Sequence, residues 1–513
     1  MITIVCIAVM LVLVSLVHYS SKRKFEYWKK RCVPFEPPTP VFGNFSKYIL
    51  LKEYWGRVTQ ALCRKYSKEP YFGVFFGTEP TLVVQDPELI KLITTKDFYY
   101  FNYREISDYT HKETNTQNLF FTQGDRWRVM RQNLTPLFSS AKMKNMFPLI
   151  ETCGKTFESM LREETKKEPV MDIKTTMVRY AMACITSCVF GIDSDVMGKD
   201  SSKNPFIIMG DLVLESSKIR GFKMITRAMW PSIFYGLGFK LFPTEIDAFF
   251  DKLMTEVFEK RDYKSSARND FVDLLLQLKK NQFLTGDKMT NDKTEKEKVS
   301  LEVTDQLLIA QCILFFAAGF ETSASTMTFT LYELAKHEDV QKRVCEEVDE
   351  YLRKTGGKLA FDSLNELPYL EACVDEAMRL YPVLGVITRE VVADYKLPTG
   401  LLLPRGLRVH LPVYHLHHSA EYFPDPEEYR PERFLPEQKK LIVPYTYMPF
   451  GEGHRICIGM RFAKIIMMVG MVTLLKNFNF RLADGMPQTL EFEATAIVTQ
   501  ATCPIRLKLI PRA

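Results

Sequence analysis

Phe450-Gly-Glu-Gly-His-Arg-Ile-Cys457-Ile-Gly459 carries more information than any other stretch of this chain. It fits five residue types at fixed offsets, Phe-x-x-Gly-x-Arg-x-Cys-x-Gly, a match that chance composition produces on the order of once in ten thousand. A cysteine taken alone is usually a buried, inert thiol; the pattern reverses that reading. Gly451, Gly453 and Gly459 let the backbone lie close to a flat group and turn N–H donors toward the sulfur. The run that follows Cys457, IGMRFAKIIMMVGMVTLL, has helical character. Its positive N-terminal end is expected beneath the sulfur, holding it as thiolate. A single thiolate in such a cradle suits the axial position of haem iron. Arg455 supplies a cation for a haem propionate.

Upstream, Leu307 to Phe320 reads LLIAQCILFFAAGF, with Gln311 as its one polar side chain. The run is short for a membrane span, so it predicts a buried core helix rather than a second transmembrane segment. A helix apolar on all sides must cross the interior, and an amphipathic continuation to Lys336 makes this one unusually long. Phe72 to Val84 predicts a β-hairpin broken at Gly77-Thr-Glu-Pro80. Further β-rich stretches run from Val391 to Val413 and from Phe492 to Leu509. Most of the remainder has helical periodicity, which predicts a mainly α protein with small β-sheets (α+β). Gly286 to Lys298 is almost wholly polar and reads as a mobile loop. Gly221 to Phe242 is aromatic, apolar and lightly basic, and reads equally as ordinary core or as a patch dipping into a membrane interface.

At 513 residues the chain exceeds a usual single core of roughly 250–300 residues, so it implies several lobes or one unusually large domain. Apolar residues at 46% and charged residues at 25% exclude disordered and collagen-like classes. A net charge of +6 is too diffuse for nucleic acid and suits an anionic membrane or an acidic protein partner. The 11 cysteines show no CxxC spacing and read as reduced thiols facing cytosol. Met1 to Tyr19 carries no charge and is long enough to cross a bilayer. Six basic residues between Lys22 and Arg31 follow it, so the positive-inside rule leaves the body on the cytosolic side. The expected organisation is a signal-anchor over 1–21, a basic, proline-rich linker over 22–40 and a catalytic domain over 41–513. Asn44 and Asn133 match the glycosylation pattern, but a cytosolic body leaves both unmodified.

These motifs together resemble the cytochrome P450 monooxygenases, nearly throughout the chain beyond the anchor. The resemblance implies a haem-thiolate fold with an N-terminal transmembrane anchor, and Cys457 as axial ligand of haem b (iron protoporphyrin IX). Ala318-Gly-Phe-Glu-Thr-Ser323 is similar to the family's oxygen-activation motif, whose acid–alcohol pair carries over to Glu321 and Thr322 as a proton relay. Gly319 and Thr322 are expected to loosen the backbone ladder there and open a groove. Trp127, Arg131, Arg389 and Arg455 match the propionate contacts, and Phe450 and Gly451 the haem-proximal loop. Glu376, Arg379 and Arg433 match a structural charge network that braces this loop. Pocket walls, by the same resemblance, fall at Tyr99–Phe121, near Phe316 and Ala317, at Val383–Thr388 and at Ala494–Val498. Leu134 to Phe147 resembles the insect microsomal branch associated with xenobiotics and plant toxins.

No P-loop or dinucleotide fingerprint is present, so electrons must come from another protein. The resemblance implies NADPH–cytochrome P450 reductase, with cytochrome b5 as a further donor, and a lipophilic substrate at the endoplasmic reticulum membrane. Arg126, Arg128, Arg461 and Lys464 are the cations expected on the docking face. Two other readings stand beside this one. A haem-thiolate isomerase or dehydratase needs no external electrons, but gives Glu321 and Thr322 no task. A membrane-anchored lipophile-binding protein would retain haem without turnover.

Overall fold

The long apolar run becomes the helix around which the rest is packed. The computed structural model describes residue 19 and residues 23–105, 107–291, 297–362 and 364–512. In it Asp305–Lys336 is one continuous helix, about 48 Å long. Thr304 caps its start, its Oγ1 accepting from Leu307 N at 3.1 Å. Asp305 and Lys336 sit at the ends where the helix dipole favours their charges. Among the described residues it is the helix long and apolar enough to cross a membrane, yet most of it is buried within the protein, as expected of a core helix.

Helices Ile173–Ile185, Pro368–Leu380 and Met460–Leu475 pack against it. Gly319 marks the closest approach: a Cβ there falls 2.3 Å from Ile185 Cδ1. Helix Ile173–Ile185 starts at Asp172, whose carboxylate accepts from Lys174 N at 3.0 Å. That cap sets Lys174 in the first turn, facing the long helix.

The β-structure lies to one side. Tyr71–Phe76 and Glu79–Val84 form the expected hairpin, Tyr71 opposite Val84. Arg408–Leu411 adds in parallel to the second strand, and Ile387–Glu390 pairs antiparallel with Arg408–Leu411 to complete a four-stranded sheet. A three-stranded sheet joins Phe478–Leu482, Arg506–Pro511 and Val170–Asp172. The β-rich reading of Phe492 to Leu509 is met only at its end: strand Arg506–Pro511 begins there, and Phe492 makes one isolated bridge to Ala501.

The expected anchor over 1–21 lies outside the described residues apart from Tyr19. The stretch read as a linker is docked on the sheet from residue 28 onward. Trp28 is fully buried and its Nε1 donates to Val74 O at 2.9 Å. Gly73 N donates to Pro34 O at 2.7 Å and Glu36 N donates back to Gly73 O at 3.1 Å. Proline-imposed extended backbone lends itself to strand-like pairing as readily as to a free spacer. The polar stretch 286–298 is closed by a hairpin, Phe283–Asp287 against Lys298–Glu302; residues 292–296 at its tip lie outside the described residues.

Candidate active site

The loop before helix Met460–Leu475 is shaped by two glycines. Gly451 and Gly453 hold φ of +73° and +72°, a region that side chains with a Cβ rarely enter. At Gly453 a Cβ would also fall 1.9 Å from Thr94 O. A short 3₁₀ turn, Gly453–Arg455, follows, and Cys457 N donates to Phe450 O at 2.9 Å. Arg131 Nη1 donates to Ile456 O at 2.9 Å, tying helix Gly124–Leu134 to the same loop.

Cys457 lies deep in the body yet presents accessible surface. That surface is cavity wall, since the residue lines a cavity of about 470 Å³. Burial pushes its thiol up; Gly459 N–H, Arg131 and Arg104 pull it down but do not outweigh burial. A coordinated metal cation is what deprotonates such a thiol outright.

Four guanidinium groups surround the same space: Arg104, Arg131, Arg389 and Arg455 all line the cavity. Burial lowers each of them, Arg104 to about 9 and Arg389 to about 10. Arg455 falls well below its ordinary value through burial and then the repulsion of Arg104, Arg389 and Arg131. Arg389 Nε and Arg455 Nε are buried without a hydrogen-bond partner. Buried, mutually repelling cations with unmet donors call for anions. The two propionates of an iron porphyrin would meet these guanidinium groups, and the accessible Cys457 sulfur could hold its iron. Trp127 belongs to it as well, since Arg455 lies over its ring at 4.6 Å. Arg104 was not singled out in the sequence reading; nothing in Tyr103-Arg-Glu105 distinguishes it from a surface arginine.

On the opposite wall, Thr322 lines the cavity and its Oγ1 donates to Ala318 O at 2.7 Å. The long helix runs unbroken through Ala318–Ser323, so the expected opening of its backbone ladder is not seen. The threonine hydroxyl instead returns to the i−4 carbonyl. Glu321 is separated from Thr322. It is 6% exposed, is absent from the cavity wall, and forms an ion pair with Lys174, which also donates to Ser325 Oγ at 2.7 Å. Lys174 answers the question a buried carboxylate raises, and no local sequence signal points to it. The apolar wall expected near Phe316 and Ala317 is present on the same helix, made by their immediate neighbours. Phe315 and Ala318 face the cavity, whereas Phe316 is fully buried among Phe190, Phe206 and Phe250.

In the brace behind the loop Glu376 and Arg379 are fully buried and Arg433 is partly so. Arg379 Nε and Nη2 donate to Glu376 at 2.7 and 2.8 Å, and Arg433 Nε donates to Glu376 Oε1 at 3.3 Å. Three carbonyls, of His417, Pro426 and Glu428, take the remaining Arg379 donors. His417 extends the network to the cysteine loop: its Nδ1 donates to Arg379 O at 3.2 Å and its Nε2 accepts from Met448 N at 2.9 Å. Burial holds this imidazole neutral, well below its ordinary value, as an acceptor nitrogen requires. His417 also escaped the sequence reading.

The family model described as Cytochrome P450 matches residues 33–509. Cytochrome P450 6B2 of Helicoverpa armigera is 33% identical over 506 residues, 98% of each chain. Cytochrome P450 6k1 of Blattella germanica is 34% identical over 492 residues, covering 95% of this chain and 93% of its own. Cytochrome P450 6B5 of Papilio glaucus is 36% identical over 459 residues, 89% of this chain and 94% of its own.

Proposed function

The chain belongs to the cytochrome P450 family, and from that premise we propose the roles its cavity residues take. It is a haem-thiolate monooxygenase that uses haem b, with electrons from NADPH delivered by a reductase. When bound, the haem supplies the iron at which dioxygen is activated and one oxygen atom passes to a lipophilic substrate. Cys457 would hold the haem iron through its sulfur; Arg104, Arg131, Arg389 and Arg455 would hold the propionates, with the Trp127 ring against Arg455. Phe450 and Gly451 shape the loop on the sulfur side. Thr322 Oγ1 holds a proton at the cavity wall. On releasing Lys174, Glu321 would take a proton from solvent, turn and pass it to Thr322, so the lysine governs when the carboxylate is free to do so.

The observation that carries this reading is the convergence of four arginines and the accessible Cys457 on a single cavity; Cys188 also lines it but is fully buried. A reduced carbon-monoxide difference spectrum tests it. The purified protein should give the haem-thiolate band, and Cys457→Ser should lose it; an unchanged band in the variant would refute the ligand assignment. NADPH-dependent oxygen consumption with reductase separates monooxygenation from isomerase chemistry, which needs none.

The docking face follows from the free cations. Lys464 is paired with Glu371 at 2.6 Å and Arg128 with Asp287 at 3.7 Å. Among the described residues Arg461 and the half-buried Arg126 meet only neutral Ser140 and Gln117, so these two, exposed Arg461 foremost, carry the attraction to an acidic reductase or cytochrome b5 surface. We further propose that the body rests on the cytosolic face of the endoplasmic reticulum membrane, with 1–21 as anchor and 41–513 as catalytic domain. Ile219, Phe222, Trp230, Ile233, Leu237 and Phe239 are exposed, while Ile225, Met229 and Phe234 between them are buried. One face of that segment is core and the other suits a lipid interface.

A further inference from the structure

The cavity has one wall unlike the rest. Glu105 is its one lining carboxylate among the described residues, and Tyr48, Tyr54 and Trp55 line it too. These side chains form a connected corner. Tyr48 and Trp55 stack with ring centroids 5.4 Å apart and planes at 11°. Trp55 meets the edge of His410 at 5.3 Å and 78°. His410 Nε2 lies 2.5 Å from Glu105 Oε1, and His410 is fully buried in strand Arg408–Leu411, opposite Thr388 of the cavity wall.

Glu105 keeps a tenth of its side chain accessible, on the cavity side. Its charge is anchored from behind. His410 and Arg408 hold the carboxyl below its ordinary value although burial opposes them. The same charge raises the Tyr48 phenol, after burial, to about 12, which places the tyrosine ring within the field of the carboxylate. A desolvated carboxylate beside stacked aromatic faces is the chemistry that recognises ammonium ions: the rings offer their negative faces and the carboxylate a formal charge. An apolar ligand alone would gain nothing from a buried anion here, and a neutral polar wall could meet His410 at lower cost.

We propose that this corner is a specificity site that selects lipophilic ammonium ions, amines carrying an apolar body, as substrates. The proposal deepens the monooxygenase reading of the cavity and rests on it. Glu105 supplies the counter-charge, Tyr48 and Trp55 the aromatic faces, and His410 fixes the carboxylate from behind.

The test uses purified holoenzyme and two probes of one shape: a phenylbutyl-trimethylammonium cation and its uncharged analogue with carbon in place of nitrogen. The quaternary cation has no lone pair to offer iron, so its binding reports the protein wall. Equilibrium dialysis should show that Glu105→Gln, which keeps the hydrogen bond to His410, weakens the cation about tenfold and leaves the analogue within about twofold. Trp55→Leu should weaken the cation more than the analogue. The proposal is overturned if Glu105→Gln shifts both probes equally or neither, or if wild-type protein with a normal reduced carbon-monoxide band ignores the cation. A wild-type protein without that band would sink the monooxygenase reading first, and this inference with it.

Discussion

Replacing Glu376 by Gln tests whether the buried brace holds the cysteine loop through charge. Both partners of the Glu376–Arg379 pair are fully buried, and Glu376 also accepts from Arg433 Nε and Arg430 N. Glutamine keeps the shape but turns an NH₂ group toward a guanidinium or an amide donor and leaves Arg379 without its counter-charge. Breaking one side of a buried pair costs about 3–5 kcal/mol. A unit of this length unfolds with an entropy on the order of 1 kcal/mol/K, so the midpoint should fall by about 3–5 °C. The assay follows the reduced carbon-monoxide band through a thermal ramp, because the network reaches Met448 through His417 and the haem-thiolate band reports that loop. Removing Arg379 as well, in Glu376→Gln/Arg379→Met, should recover part of the loss, since no uncompensated charge remains. A Glu376→Gln protein whose midpoint matches wild type within a degree would refute the argument. So would a double variant weaker than the sum of its singles.

Thr322→Ala should retain haem and substrate binding but divert reducing equivalents to peroxide and water; the ratio of product to NADPH consumed measures this, and unchanged coupling excludes the hydroxyl from proton delivery. Gly453→Ala forces a Cβ onto Thr94 O at a left-handed backbone position, worth at least about 1–2 kcal/mol before the clash is relieved; most haem should be lost on purification while far-ultraviolet helicity persists. Glu390 sits at about 7, raised by burial and then by Asp108 and Glu105. The folded protein therefore binds a proton that the unfolded chain has released, and stability falls as pH rises from about 4.5 to about 7, then levels. Glu390→Gln should flatten that slope and gain about 1–2 kcal/mol over wild type above pH 7, allowing for partial exposure; equal midpoints across the range would show that the carboxyl does not titrate there.

The cysteine loop and the long core helix were legible because their determinants are local. A thiolate cradle needs glycines and a following helix within ten residues, and a helix apolar on every face can only be interior. The hairpin at residues 71–84 was legible for the same reason. What the sequence did not disclose were partners set by tertiary approach. Lys174, Arg104 and His417 each meet their counterpart across a gap in sequence that no spacing rule spans. That the wall near Phe316 and Ala317 could be placed only approximately has a related cause: a helix apolar all round has no polar stripe to fix its rotation. Only packing against Phe190, Phe206 and Phe250 decides which face meets the cavity.

The acids on the buried helices make the same point in energetic form. Glu321 and Glu376 are both desolvated and both paired, but to different ends. Glu376 meets two arginines and a backbone N–H, and Arg379 spends its remaining donors on carbonyls. Such an over-determined charge has no alternative position, and it serves as a fixed brace. Glu321 has one cationic partner, a lysine whose ammonium is a mobile point charge on a flexible stem and one-fifth exposed. Glu321 Oε1 also accepts from Ser325 Oγ at 3.4 Å, and exchanging one lysine pair and one long hydroxyl bond costs far less than dismantling the brace. The difference in partner chemistry, arginine fork against lysine point charge, leaves one buried carboxylate able to exchange its partner, as the proposed relay requires, and commits the other to a fixed place in the brace behind the cysteine loop.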